Sequence, residues 1–152
     1  MKRIREALGG ALRVNFQTRS VLEVAKALDE SQMKKALIVG TPGEQAPSVR
    51  FRKKGEPKPG IAGSELSQDQ RALVEKVMRD LIAPYRKEDG DEVMQILKDR
   101  GGLEHLHLAF YRDKGAAENE RWHFWRLEGP GFVWNYRVLP HVHTYVNISS
   151  KI

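Results

Sequence analysis

The chain contains no cysteine. That excludes disulfides, thiolate nucleophiles and cysteine-ligated zinc or iron–sulfur centres, although it does not fix a compartment. Nowhere is there a run of about 18 apolar residues, so no segment reads as a membrane span. The N-terminal residues never gather the continuous apolar stretch of a secretory signal. Catalytic signatures are equally scarce. No Gly-x-Ser-x-Gly nucleophile elbow occurs, and Gly63-Ser64-Glu65 does not imitate one. No glycine-rich phosphate loop is present either, since Gly9-Gly10 and Gly101-Gly102 read as helix terminators. Internal repeats and low-complexity tracts are also missing.

What remains is a globular composition: 152 residues, 40% apolar and 30% charged, enough for one core without covalent staples. A single domain over 1–152 is expected. The net charge of +6 admits an anionic partner or a solvated basic surface. Acidic residues are interspersed almost everywhere, which favours the solvated surface and argues against nucleic acid.

Residues 1–17 form a peripheral helix in this reading, with Ile4, Ala7, Leu8, Ala11 and Leu12 on one face. Thr18 or Ser20 caps a helix to Leu28, and Asp29 caps a second over 30–37. The stretch 40–63 holds four of the seven prolines, Pro42, Pro47, Pro57 and Pro59. It reads as a long extended connection, pinned to the surface or functional, with one short strand near Val49-Arg50-Phe51. Ser67-Gln68-Asp69-Gln70 is a capping box with Leu66 as its staple, and an apolar stripe from Leu73 to Ile82 follows. A further helix is expected over 91–100. After Gly102 the period falls from 3.6 to 2, in four alternating runs over 105–111, 121–128, 132–138 and 141–148. Gly129-Pro130-Gly131 turns the chain between the second and third. The expected class is α+β, with N-terminal helices packed on a roughly four-stranded antiparallel C-terminal sheet.

Alternation assigns the chemistry to faces. His141 and His143 share one face, as do His105 and His107, and in both runs the apolar residues point the other way. Residues two apart on a strand are about 6.5–7 Å apart, close enough for two rings to converge on zinc, copper or iron. These four histidines are the candidate metal ligands of a histidine-lined sheet surface, and a site with no cofactor stands beside that reading. His123 reads as a half-buried, hydrogen-bonded ring. Arg126 is a supporting polar group, and Glu128 shares its face. A metal-dependent hydrolase would use the same histidines with Glu128 or Glu104 as general base. A third reading is a non-enzymatic module that binds anions or partners through Arg50-Phe51-Arg52-Lys53-Lys54 and Lys58. The aromatics Trp122, Phe124, Trp125, Phe132 and Trp134 are expected first as core.

The run Phe124-Trp125-Arg126-Leu127-Glu128-Gly129-Pro130 with Phe132, followed by His141-Val142-His143, resembles the C-terminal half of domain of unknown function 3500. Upstream, Leu28-Asp29-Glu30-Ser31-Gln32, Gly60-Ile61 and Leu66-Ser67-Gln68-Asp69-Gln70-Arg71 resemble the same family's segments. The resemblance runs from about Ser20 to the end. It implies architecture and ties the His141–His143 pair to the Gly129-Pro130 turn. The family pattern is longer and carries a preceding half with a Gly-His-His segment, so a fragment or short relative is expected. This chain departs from the pattern at Asn135, where an acidic residue is more usual, and at Pro140, where asparagine is.

Overall fold

Helix α1 (Phe16–Ala27) starts two residues before its expected cap in a computed structural model that describes residues 16–53, 55–115, 122–138 and 142–151. Thr18 and Ser20 therefore lie inside the helix and are buried. Their hydroxyls serve tertiary contacts instead: Thr18 meets the Tyr136 hydroxyl at 2.5 Å, and Ser20 donates to Asp80. The peripheral helix expected over 1–17 falls almost wholly outside the described residues.

Helices α2 (Glu30–Ala36) and α3 (Gln68–Ile82) both open on capping boxes. Asp29 accepts from Gln32 N at 2.8 Å, and Ser67 from Gln70 N at 3.1 Å. Each box satisfies backbone donors that a helix start leaves free. The two glutamines then face each other. Gln32 Nε2 donates to Gln70 Oε1 at 2.9 Å, and Gln70 Nε2 returns a bond to Gln32 Oε1 at 2.7 Å. Gln70 Nε2 also reaches Ala27 O at 2.8 Å, so one amide pair locks the end of α1 to the starts of α2 and α3. The two glutamine motifs, far apart in sequence, are thus one structural joint. Replacing Gln32 or Gln70 by alanine is expected to cost about 1–2 kcal/mol each. The double variant should cost less than the sum, because the bonds are shared; urea unfolding of the three variants measures this.

Helix α4 (Lys87–Asp99) begins four residues before the expected 91–100 and ends at Gly101, which adopts φ +100°. Among the described residues the sheet is mixed and has six strands. Strands β3 (His107–Arg112), β4 (Phe124–Gly129), β5 (Phe132–Arg137) and β6 (His143–Ile148) form the expected antiparallel meander. Two short strands add to it on the far side of β3. Strand β1 (Leu37–Val39) pairs parallel and β2 (Ile61–Ala62) antiparallel. Neither is long enough to show alternation, and Leu37 reads naturally as the end of α2. The β4–β5 turn is Pro130-Gly131, with Gly131 at φ +79°, the pattern of a type II turn. No strand forms at Val49–Phe51; Ala46–Ser48 is a 3-10 turn and the chain around it is irregular.

Register divides the sheet into two faces. Leu108, Phe110, Trp125, Leu127, Phe132, Trp134 and Tyr136 join Val21, Val24, Val74, Val77 and Met78 of the helices in the main core. The opposite face carries His107, Ala109, Tyr111, Phe124, Arg126, Glu128, Asn135, Arg137 and His143. Among the described residues, helices cover the first face and the Pro-rich connection contributes partners to the second. Gly43 O, Ser48 O, Glu44 and Arg52 all bond side chains on that face. No described helix is long and apolar enough to cross a membrane.

Candidate functional site

Arg126 sits on β4, an inner strand of the meander, and its side chain is 3% exposed. Burying a guanidinium requires that its donors be met. Nε donates to Asn135 Oδ1 at 2.6 Å across the β4–β5 ladder. Nη1 donates to Ser48 O at 3.0 Å and Nη2 to Gly43 O at 2.9 Å, so the side chain pins the Pro-rich connection to the sheet. The Phe124 ring lies on the same face, 6.0 Å from the guanidinium carbon. Burial pushes Arg126 below the ordinary arginine value, and Glu128 opposes that shift.

Glu128, two residues along the same strand, is 4% exposed. Its carboxylate lies 3.7 Å from Arg126 Nη1. It also accepts from Arg52 Nε, and from Arg52 Nη2 at 3.3 Å. The bond to Glu128 holds Arg52 above its ordinary value. Two guanidiniums therefore converge on one carboxylate. Arg50 brings its own partner: it forks onto Glu56 at 2.8 and 3.0 Å, which holds the Glu56 carboxyl down at about 2. One positive charge is left in excess around Arg52, Arg126 and Glu128.

These groups line a pocket of about 190 Å³. Its floor is Arg126, Glu128 and Tyr111, and its walls are Pro42, Pro47, Ser48, Arg50 and Arg52. Tyr111 packs edge-on against Phe124 with ring centroids 6.0 Å apart. Burial pushes its hydroxyl above the ordinary value, so it is a neutral donor at physiological pH. Next to the pocket, Asn135 is fully buried and its Nδ2 has no partner. The Arg126 Nε bond fixes which end of the amide faces the guanidinium, so the unmet donor is not a matter of amide orientation.

A second polar cluster holds the connection further along the same face. Glu44 accepts from Arg137 Nε at 3.1–3.2 Å, and its other near neighbour is His143 Nδ1 at 3.3 Å. Arg137 Nη2 lies 2.9 Å from the same ring nitrogen.

The histidines expected as ligands are dispersed. His143 is on β6 and His107 on β3, with β4 and β5 between them. Three strand spacings of about 4.8 Å put their strands about 14 Å apart, and His107 lies across from Asn147, four residues from His143, so the two are too far apart to share an ion. His105 does not share a face with His107, because the chain is in a 3-10 turn over Gly102–His105 and the strand begins only at His107. The positive φ of Gly101 and Gly102 starts that turn, and alternation in sequence concealed it. Glu104 is exposed and lies 3.6 Å from Arg71. His141 lies outside the described residues. His123, half-buried as expected, is 3.4 Å from Asp113. Among the described residues, no group of three or more histidines and carboxylates is placed to hold a metal ion.

His107 has a pH consequence of its own. Its Nδ1 is buried without a partner, and burial, aided by Lys58, lowers its pKa from the ordinary 6.5. The unfolded chain then takes up the proton first, so this group's contribution to stability is complete above about pH 6.5. It is lost as pH falls from there through the lower folded-state value. Unfolding midpoints measured between pH 7.5 and 5 should fall, and His107→Gln should flatten that slope.

The fold and this face define the class: an α+β domain whose sheet has helices on one side and a buried arginine–carboxylate site on the other. The chain belongs to the family described as protein of unknown function (DUF3500), whose model matches residues 10–149. No curated protein and no solved structure matches it. The segments that resemble the family divide by role in the structure. Gln32, Gly60 and Gln70 build joints of the fold, whereas Arg126 and Glu128 build the pocket.

Proposed function

We propose that this protein binds a small anion, or the anionic end of a larger molecule, in the pocket between the Pro-rich connection and the second face of the sheet. One observation carries the reading: two guanidiniums, Arg52 and Arg126, share the single carboxylate of Glu128 in a largely buried setting. An excess buried charge is costly, and an incoming anion relieves that cost. Arg52 reaches Glu128 with Nε and Nη2, and its Nη1 is left to meet a ligand. Glu128 is committed to two arginines, which suits an anchor that orients them better than a base that takes protons. The binding reading therefore goes with Arg52 of the 50–58 cluster and with Arg126, and not with the histidines.

The test is a thermal-shift and calorimetric screen of acetate, benzoate, inorganic phosphate and sulfate against the purified chain. An anion present at about 100 times its Kd should raise the melting temperature by about 5–10 °C. Arg52→Gln should remove most of that shift. Failure of every anion to bind at millimolar concentration, or equal binding by Arg52→Gln, overturns the proposal.

A further inference from the structure

We infer that the anion taken by this pocket is a monocarboxylate with a small, planar, apolar body; the inference rests on the anion-binding reading above and names its ligand class. Charge gives the first argument. With Arg50 neutralised by Glu56 and Arg52 and Arg126 set against Glu128, one positive charge remains to be met. A carboxylate meets it. A dianionic phosphate, a large share of inorganic phosphate at neutral pH, would overshoot by one charge beside the carboxylate of Glu128, where the low local dielectric magnifies repulsion.

The donors give the second argument. Arg126 spends Nε, one Nη1 hydrogen and one Nη2 hydrogen on protein acceptors. Arg52 spends Nε and one Nη2 hydrogen on Glu128. Arg126 keeps no whole free fork edge, whereas Arg52 keeps its Nη1–Nη2 end, a two-donor edge that matches the two oxygens of a carboxylate, with the Tyr111 hydroxyl as a further donor. A carboxylate needs no more than that edge, whereas a tetrahedral anion brings further oxygens into a pocket whose lining also includes Pro42, Pro47 and the Glu128 carboxylate, none of which donates from its side chain.

Shape gives the third. The prolines and the Tyr111 ring supply apolar walls beside the charged end. At about 190 Å³ the pocket is smaller than the roughly 300–1,000 Å³ of most ligand sites, which suits a small acid.

Asn135 supplies the decisive variant. Its Oδ1 already accepts from Arg126 Nε, and its Nδ2 has no partner. Asn135→Asp keeps the size of the side chain, removes the unmet donor, and gives Arg126 an internal counter-ion that takes up the excess charge. The experiment titrates the full chain and N135D with benzoate and with inorganic phosphate by calorimetry, and records their melting temperatures without ligand. The expected result is that benzoate binds the parent chain at least tenfold more tightly than phosphate. N135D should weaken benzoate by about 10- to 100-fold while melting no lower than the parent. Tighter binding of phosphate than benzoate sinks the carboxylate assignment and leaves anion binding standing. Benzoate affinity unchanged in N135D also sinks it. Binding of neither ion overturns both readings together. Should N135D fail to fold, the benzoate-to-phosphate ratio of the parent chain decides the matter alone, with Arg52→Gln showing whether the binding is in this pocket.

Discussion

Arg126→Ala is expected to lower stability by about 3–5 kcal/mol and to abolish anion binding, a larger combined loss than any other single change on the sheet. The side chain is 3% exposed and makes three hydrogen bonds, one across the sheet and two to the Pro-rich connection. Its removal strips Asn135 Oδ1, Ser48 O and Gly43 O of a charged donor, and each unmet buried acceptor costs about 1–3 kcal/mol unless water reaches it. Two of those acceptors belong to the Pro-rich connection, so the loss is also a loss of anchoring. Backbone amides over 43–52 should then exchange hydrogen faster than those of β4 and β5, which keep their ladder. Arg52→Ala is the informative comparison. Arg52 is 27% exposed and its only described partner is Glu128, so its removal should cost no more than about 2 kcal/mol. If the two variants lose the same stability, Arg126 does not fasten the connection, and chemical denaturation followed by exchange would show it.

The contrast between the two arginines marks how far the sequence could be read. The helix stripes, the caps at Asp29 and Ser67 and the four-strand meander follow from local patterns, because period, caps and the Gly-Pro-Gly turn are all short-range signals. So does the sharing of a face by Phe124, Arg126 and Glu128, which needs only alternation. The partner of that face does not follow. Arg52 stands 76 residues from Glu128, and nothing local says that a proline-rich stretch read as a surface connection folds across the second face of the sheet. Each basic residue of 50–54 looked alike in sequence. Only the fold separates Arg50, clasped to its neighbour Glu56, from Arg52, which reaches the pocket. Asn135 offered a signal, as a lone amide among Phe132, Val133, Trp134 and Tyr136 in a buried strand. Its meaning depended on the register that puts it opposite Arg126. The histidine runs are not alike: alternation in sequence carries back to His105, but the strand begins only at His107.

Gly60→Ala should destabilise the protein by about 2–4 kcal/mol and lower its melting temperature on the order of 10 °C. Gly60 has φ +90°, a conformation that costs an L-residue free energy before any contact is counted. A methyl group there would stand 2.0 Å from Leu108 O and 2.9 Å from Ala109 Cα. Those are backbone atoms of β3, paired on its other edge with β4, so they have no room to yield. Relief must come from β2, which has only two residues and pairs with β3 at Leu108 and His107. A second close approach lies just beyond, where a Cβ on Gly63 would meet Leu103 O at 1.8 Å. The Gly60-Ile61-Ala62-Gly63 segment therefore rests on β3 through Gly60 and on the 3-10 turn before it through Gly63, with Ile61 fully buried between them. It also ends the Pro-rich connection, whose other anchors are Arg126, Arg137 and Glu128. Shifting β2 should thus move Arg52 relative to Glu128, and Gly60→Ala is expected to weaken anion binding although no atom of residue 60 lines the pocket. A variant that loses stability yet binds anions with unchanged affinity would separate the seating of β2 from the pocket. Equilibrium unfolding and calorimetry on the same preparation make that distinction.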